Sequence, residues 1–355
     1  MCIMGKLAVY KYFSFMLLVI TVLVALFTII GLFAGNANPV HETALAMIVY
    51  IMPLLIIGNI CTLLFWTIRR KWIWTMIPII TILCTIPYIG TIYQLGLFQD
   101  TSDNHSGFKI ATYNVAMFGR EISGFKAEDI LSEMKRQEVD IFCIQEYMEH
   151  MGDKKNSDSY KTFFPYAAKG RDDMMIYSRR FPIKKSGIID FGKTNNSGMW
   201  ADLDINGKKV RIFNVHLETT GFNRTMRKIA KLEMSGTHVE ENSIVSAIYG
   251  NYTRGMVVRA VQAGIVAREI QQSPYPVIVC GDFNDVPYSY TYNLMKGNLV
   301  DGFKECGKGF MATYRGKKMA RIDYIFHDES MKGNYCYTQD LSYSDHNPVY
   351  MHISY

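Results

Sequence analysis

Six short polar clusters punctuate the chain beyond residue 108, each within or beside an apolar run. In order they are Thr112-Tyr113-Asn114-Val115, Ile144-Gln145-Glu146, Asn214-Val215-His216-Leu217-Glu218, Gly281-Asp282-Phe283-Asn284, Arg321-Ile322-Asp323-Tyr324 and Ser344-Asp345-His346-Asn347. Taken singly, each has an ordinary structural use. Asn114 or Asp345 caps a turn, Glu146 or Glu218 is a solvated strand end, His216 is a core imidazole, and Asp323 pairs with Arg321. Taken together, and leaving Glu218 aside, they hold four carboxylates (Glu146, Asp282, Asp323, Asp345), two amides (Asn114, Asn284) and two imidazoles (His216, His346). Oxygen donors without thiolate suit Mg²⁺ or Mn²⁺ rather than zinc. Imidazoles titrate near neutral pH and suit proton transfer. The inventory therefore fits metal-assisted displacement at phosphorus.

Such groups act together only if strands and turns deliver them to one place. Phe108 to Val115 alternates and predicts a strand, Ala127 to Arg136 a short amphipathic helix, and Ile141 to Ile144 a buried strand. Met174 to Tyr177 is another apolar run, and Met199 to Val215 predicts a hairpin turning at Asn206-Gly207. Arg254 to Gln272 predicts a helix with Val257, Val261 and Ile265 on one face, stopped by Pro274. Pro276 to Cys280 is a short β-branched strand running into the Gly281-led turn. Gly221 to Tyr252 has no clear pattern beyond a helix and a long loop. Its cations Arg224, Arg227, Lys228 and Lys231 mark either a substrate-selecting or a solvated face. Strands alternating with hairpins and helices imply two packed sheets flanked by helices.

The first third of the chain is of another kind. Phe13 to Ala34, Ala44 to Ile68 and Trp72 to Phe98 are apolar runs without Asp, Glu, Lys or Arg. Each is long enough for a hydrocarbon layer of about 30 Å. A cleavable signal peptide has an apolar core of only ~7–15 residues, so these runs predict a bundle of three transmembrane helices. Lys6 and Lys11 precede the first run and Arg69-Arg70-Lys71 separates the second from the third, whereas Gly35 to Thr43 contains no Lys or Arg. The positive-inside rule places the N-terminus in the cytoplasm and, after three crossings, everything beyond residue 98 outside it. The expected organisation is an anchor (1–98), a polar linker (99–107) and a catalytic domain (108–355).

Charge and cysteine narrow the partners. Residues 1–99 hold five basic residues and one acid, leaving 33 of the 38 Lys and Arg and 31 of the 32 Asp and Glu to the rest. The remainder is nearly neutral, which disfavours a broad nucleic-acid face. Seven cysteines are too few for a disulfide scaffold, although Cys306 and Cys336 are a candidate pair in an oxidising compartment.

The ordered set Asn, Gln-Glu, His-Leu, Gly-Asp-Phe-Asn, Arg-Ile-Asp-Tyr and Ser-Asp-His resembles the endonuclease/exonuclease/phosphatase superfamily of deoxyribonuclease I-like proteins, in a bacterial-type membrane-anchored form. The resemblance covers about Phe108 to Tyr355 and implies a four-layer α/β sandwich of two packed mixed sheets flanked by helices. By that resemblance Asn114 and Glu146 hold the metal, and Asp345 approaches it or a second ion. Asp323 orients His346, Asp282 and Asn284 position the attacking water, and His216 meets the scissile phosphate or leaving oxygen. Either His346 or Asp282 takes the proton of the water. Asp172 or Asp173 is the candidate carboxylate behind His216. The Gly-Asp-Phe-Asn motif runs on into Asp285-Val286-Pro287 without the Arg of the inositol polyphosphate phosphatase branch, and Ala320-Arg321-Ile322-Asp323 lacks that branch's Cys-Asp-Arg signature.

The sequence therefore predicts a multi-pass membrane protein with an extracytoplasmic, Mg²⁺-dependent phosphoesterase acting on a phosphodiester or phosphomonoester, with a lipid or envelope-associated substrate favoured by the anchor. The rivals are an extracytoplasmic nuclease, for which nucleic acid is the less favoured substrate, and a catalytically inactive binding module on the same fold.

Overall fold

The computed structural model describes residues 2–97, 107–119, 127–147, 154–171, 173–194, 196–235, 240–315 and 320–355. Most of the expected linker (99–106) and Asp172 lie outside the described residues. The chain divides into two compact units, one comprising residues 1–90 with 288–290 and the other the remainder.

The first unit is helical. Helices span Cys2–Ala34, Pro39–Ala46, Ile48–Ile68, Trp72–Cys84 and Ile86–Ile89. Their outer faces are apolar, with Phe33, Leu54, Leu64 and Ile68 all exposed. The buried polar groups pair across helices: the Asn59 amide donates to Thr28 Oγ1 at 2.8 Å and the Trp66 indole to Thr21 Oγ1 at 2.9 Å. Two stretches are long and apolar enough to cross a membrane, Tyr10–Ala34 and Pro39–Ile68. The third expected span does not form as one helix through residue 98. Trp72–Cys84 has 13 residues, or about 20 Å at 1.5 Å per residue. Pro87 has no N–H with which to continue the ladder, so helix resumes only as the short Ile86–Ile89 turn.

The second unit contains the strands β1 (Tyr93–Leu95), β2 (Gly107–Asn114), β3 (Ile141–Gln145), β4 (Tyr166–Lys169), β5 (Met174–Ser178), β6 (Ile183–Ile189), β7 (Gly198–Ile205), β8 (Lys208–His216), β9 (Val277–Asp282), β10 (Val300–Asp301), β11 (Lys308–Phe310), β12 (Asp323–His327), β13 (Lys332–Thr338) and β14 (Val349–Ser354). Among the described residues they form two six-stranded sheets, ordered β13-β14-β2-β3-β5-β4 and β10-β12-β9-β8-β7-β6, and a ribbon of β1 with β11. Each large sheet is antiparallel except for one parallel pair, β2 with β3 and β8 with β9. Parallel neighbours need a crossover, supplied by the helix Ala127–Arg136 for the first pair and by helices Phe222–Met234 and Glu241–Gln271 for the second.

Strand alternation divides the apolar side chains among three layers. Between the sheets lie Ile110, Cys143, Ile176, Leu203, Ile212, Ile278, Cys280 and Met351. Outward from the first sheet Tyr113, Phe142 and Ile144 meet Ile130 and Leu131 of the covering helix and Phe164, just past the next helix. Outward from the second, Phe213, Val279 and Phe326 meet Val266, Tyr292 and Met295. Helix, sheet, sheet and helix make a four-layer α/β sandwich. Strands buried on both faces read as continuous apolar runs, which is why Val277 to Cys280 shows no alternation in sequence. The hairpin turn at Asn206-Gly207 holds both residues at positive φ, 52° and 86°, as a two-residue turn joining right-twisted strands requires.

Four readings depart from expectation. The unpatterned stretch 221–252 forms the helix Phe222–Met234 and the start of the long helix Glu241–Gln271. On that helix the buried face is Met256, Arg259, Ala260, Ala263 and Val266, while Val261 is 53% exposed. The face is rotated because Arg259 and Gln262 are spent on polar anchoring described below. The unit also begins before the expected boundary at 108, since β1 pairs antiparallel with β11, Tyr93 opposite Phe310. Cys306 and Cys336 are free, buried thiols rather than a disulfide.

Candidate active site

The C-terminal ends of the two parallel pairs meet, and nearly all the expected groups come with them. Register sets Asn114 opposite Gln145 in one sheet and His216 opposite Asp282 in the other, with Asp323 opposite Asp282 across the antiparallel β9–β12 pair. The sheets are tied at this end by a buried amide pair. Gln145 Nε2 donates to Asn214 Oδ1 at 2.6 Å, and the Asn214 amide donates to the carbonyls of Ile144 and Met175 at 2.9 and 3.0 Å. Gly281 lets β9 approach β8: at φ 134°, a Cβ there would lie 1.9 Å from the Val215 carbonyl oxygen.

Asn114 is the hinge between the sheets. Its Nδ2 donates to Glu146 Oε1 at 3.0 Å and to Asp282 Oδ2 at 3.1 Å, while its Oδ1 accepts from the Ala116 N–H at 3.0 Å. It therefore presents a donor to the carboxylates. Glu146, one residue past β3, has φ 53°, and Asn284 has φ 51°. Such left-handed backbone at non-glycine residues aims side chains out of the strand direction. Asn284 donates through Nδ2 to the Leu217 carbonyl at 2.8 Å and through its N–H to Asp282 Oδ1 at 2.8 Å.

Each imidazole is backed by a carboxylate. His346 Nδ1 lies 3.0 Å from Asp323 Oδ2, with its Nε2 3.7 Å from Asp282 Oδ2. The Asp323 backbone is held by Thr313 Oγ1, which accepts from the N–H groups of Ile322 and Asp323 at 2.9 and 3.1 Å, and the Tyr314 ring stands edge-on to His346 at 5.1 Å. His216 Nδ1 lies 3.4 Å from Asp173 Oδ2, whose other oxygen accepts from Ser197 Oγ at 2.9 Å. Its Nε2 faces Glu146 Oε1 at 3.7 Å and Asp282 Oδ2 at 3.8 Å. Asp345 precedes His346 in a turn pinned by Ser344, whose hydroxyl donates to the Asn114 carbonyl at 2.7 Å.

The electrostatics are those of crowded negative charge. Burial pushes the Asp282 carboxyl above its usual range; His346 pulls against this and Asp323 adds to it. Asp345 is likewise raised by burial, opposed by His346 and reinforced by Glu146 and Asp282. Burial works against charge on His346, yet Asp323 and Asp282 outweigh it and push its pKa up to about 10. The same balance raises His216, through the Asp173 hydrogen bond and the charges of Asp282 and Glu146. Asp282, Asp323 and His346 bring their ligand-type atoms within 4.8 Å of one another. Asp282 and Asp345, both raised by burial, and the neighbouring Glu146 are hard oxygen donors whose crowding a divalent cation would relieve, so the residues present fit such an ion.

The structure thus gathers Asn114, Glu146, His216, Asp282, Asn284, Asp323 and His346, with Asp345 at the edge. Of the two candidates behind His216, Asp173 is the one described there. Arg321 is not the partner of Asp323: it pairs with Asp301, buried, and donates to the Thr91 carbonyl at 3.0 Å. Sequence reasoning gave no role to the Gln145–Asn214 pair, Tyr314 or Arg259. Arg259 is fully buried, with Nε 3.3 Å from Asp285 Oδ2 and Nη1 donating to the Glu218 carbonyl at 3.0 Å. The Glu218 N–H donates to Gln262 Oε1 at 2.7 Å. The long helix thereby fixes the chain just past His216 and just past Asp282. The only sequence signal was a cation on an otherwise small-residue helix face.

A two-sheet sandwich with carboxylates, amides and imidazoles at the ends of its parallel strands defines the class, and comparison supplies the family. Residues 111–346 match the model of the Endonuclease/Exonuclease/phosphatase family, to which the chain belongs. Residues 14–92 match a Domain of unknown function (DUF8431). A humanized D. rerio TDP2 carrying 14 mutations is 18% identical with a TM-score of 0.53, covering 70% of this chain and 99% of that one. The endonuclease/exonuclease/phosphatase from Bacteroides vulgatus is 17% identical with a TM-score of 0.53 over 70% and 99% of the two chains. The human Nocturnin catalytic domain with bound sulfate anion is 19% identical with a TM-score of 0.51 over 74% and 99%. At these identities the likeness is one of fold. No curated protein matches the sequence.

Proposed function

We propose that the protein is a membrane-anchored, Mg²⁺-dependent phosphoesterase. The observation that carries this reading is the His346–Asp323 pair at 3.0 Å, with His346 facing Asp282, which the Asn114 amide joins to Glu146. Glu146 and Asp345 would hold the cation, the Glu146 carboxylate being fixed by the hydrogen bond it accepts from Asn114 Nδ2. The bound cation supplies charge stabilisation to the phosphoryl oxygens. Asp282, set by Asn284, positions a water, and His346 or Asp282 takes its proton as the new O–P bond forms. The old P–O bond breaks on the far side, where His216, held by Asp173, donates to the leaving oxygen.

Tyr10–Ala34 and Pro39–Ile68 are the anchor, and Trp72–Cys84 with the short helix Ile86–Ile89 beyond its break completes a third crossing. The Lys and Arg distribution then places the catalytic unit outside the cytoplasm. An anchored enzyme finds its substrate at high local concentration in the same membrane, which favours a lipid or envelope-bound phosphoester over diffusing nucleic acid. The test is hydrolysis by the full chain in vesicles, with Mg²⁺ or EDTA, of phosphomonoesters, phosphodiesters, phospholipid and DNA. Hydrolysis that survives EDTA refutes the metal reading. DNA cleaved faster than every phospholipid makes the protein a nuclease instead.

A further inference from the structure

The ribbon of β1 and β11 has an apolar face with no protein over it among the described residues. Tyr93 and Leu95 face outward on the first strand, Leu97 lies just beyond it, and register places Phe310 opposite Tyr93 and Lys308 opposite Leu95. Side chains directly opposite in an antiparallel pair share a face. That face therefore carries the Tyr93–Phe310 ring pair at 4.8 Å, Leu95 and the Lys308 cation, with the exposed Leu97 two residues on. Leu95, Leu97 and Phe310 are 68%, 75% and 74% exposed. Two-stranded ribbons are marginal in water, and this one turns its large apolar groups outward.

We infer that this ribbon docks into the headgroup region of the bilayer the same chain spans. Covalent reach argues for the lipid surface over any other occupant. The apolar helical segment ends at Ile89 and β1 starts at Tyr93. Four residue steps extend at most ~14 Å at ~3.6 Å each. Tyr93 cannot leave the vicinity of the membrane face, and its pairing brings Phe310 with it. The chemistry agrees: aromatic rings and leucines beside a lysine are the composition that partitions to the boundary between hydrocarbon and phosphate. Lys308 is an exposed cation suited to anionic headgroups. Phe310 ends β11, three residues before Thr313, whose Oγ1 accepts from the Asp323 N–H, so a short stretch of chain joins the ribbon to the site.

The inference rests on the membrane-spanning reading above, and the experiment separates the two. A photo-crosslinking benzophenone side chain is placed singly at Phe310, at Leu95 and, as a control, at Ile188, which is 53% exposed on β6. Each full-length protein is reconstituted in phosphatidylethanolamine–phosphatidylglycerol vesicles, checked for native circular dichroism, washed with alkaline carbonate and irradiated. Positions 310 and 95 should give about tenfold more lipid adduct than 188, the ratio that marks a decided preference for one environment. Adducts to a second copy of the chain, or lipid yields equal to that at 188 in a carbonate-resistant protein, overturn the docking alone. A chain stripped by carbonate overturns the anchor and the docking with it.

Discussion

Replacing Arg259 by Met should destabilise the catalytic unit and disable the site together. Arg259 is fully buried, and Asp285 is 4% exposed. The substitution leaves a carboxylate in the interior without the guanidinium 3.3 Å away, and deprives the Glu218 carbonyl of its donor. Breaking a buried pair by removing one partner costs about 3–5 kcal/mol. For a unit of this size each kcal/mol moves the midpoint by roughly 2–4 °C, so Tm should fall by about 6–20 °C. Because the same guanidinium bridges the segments after His216 and Asp282, kcat at a temperature where the variant is folded should also fall, by about tenfold or more. The companion Arg259→Met/Asp285→Asn removes both charges and should recover part of the stability without recovering the bridge to Glu218. Thermal unfolding followed by circular dichroism in detergent, beside Mg²⁺-dependent hydrolysis of a soluble phosphodiester, gives both readings. A single variant within about 2 °C of wild type, or a double variant no more stable than the single one, would refute the claim that this pair holds the site's frame.

Glu146→Gln should lower kcat by orders of magnitude with Tm nearly unchanged, since the side chain is partly exposed and only its charge is lost; wild-type turnover with or without EDTA would show that no cation is held there. Gly281→Ala should fail to fold or lose several kcal/mol, because its Cβ would sit 1.9 Å from the Val215 carbonyl oxygen; a soluble variant with wild-type Tm would contradict the close approach of β8 and β9. In the EDTA-treated protein His346 has its pKa raised from 6.5 to about 10. Its contribution to stability is therefore complete below the unfolded value and is lost as pH rises through about 10. Asp323→Asn should flatten that loss, and unchanged pH dependence of Tm would show that the pair is not charged. Reporter fusions after Lys71 should behave as cytoplasmic and those after Gly107 as extracytoplasmic; the reverse pattern would overturn the orientation argued from Lys and Arg, and both on one side would remove the third crossing.

Local pattern determined much of this protein. A β-branched run ending in Gly-Asp-Phe-Asn forms a buried strand with carboxylates at its mouth, because apolar continuity and a Gly-led turn are properties of neighbouring residues. Ala127–Arg136 folds as the helix its periodicity predicts, and Asn206-Gly207 turns the hairpin for the same reason. The apolar runs of the first third likewise announce helices by composition alone. Tertiary structure decided what depends on partners far apart in the chain. Arg321 goes to Asp301 and not to its near neighbour Asp323, because the buried cation also meets the rings of Phe303 and Tyr324 at 4.7 Å. Asp173, just before β5, comes to His216 at the end of β8 only once the two sheets that hold these strands are packed together. The long helix turns Val261 outward because Arg259 and Gln262 have backbone and carboxylate partners beyond the ends of β8 and β9. The strand at Tyr93 exists only because β11, more than two hundred residues later, supplies its hydrogen bonds. Helix periodicity and turn chemistry are written in adjacent residues; strand partners and buried-charge partners are fixed only when the whole chain closes its core.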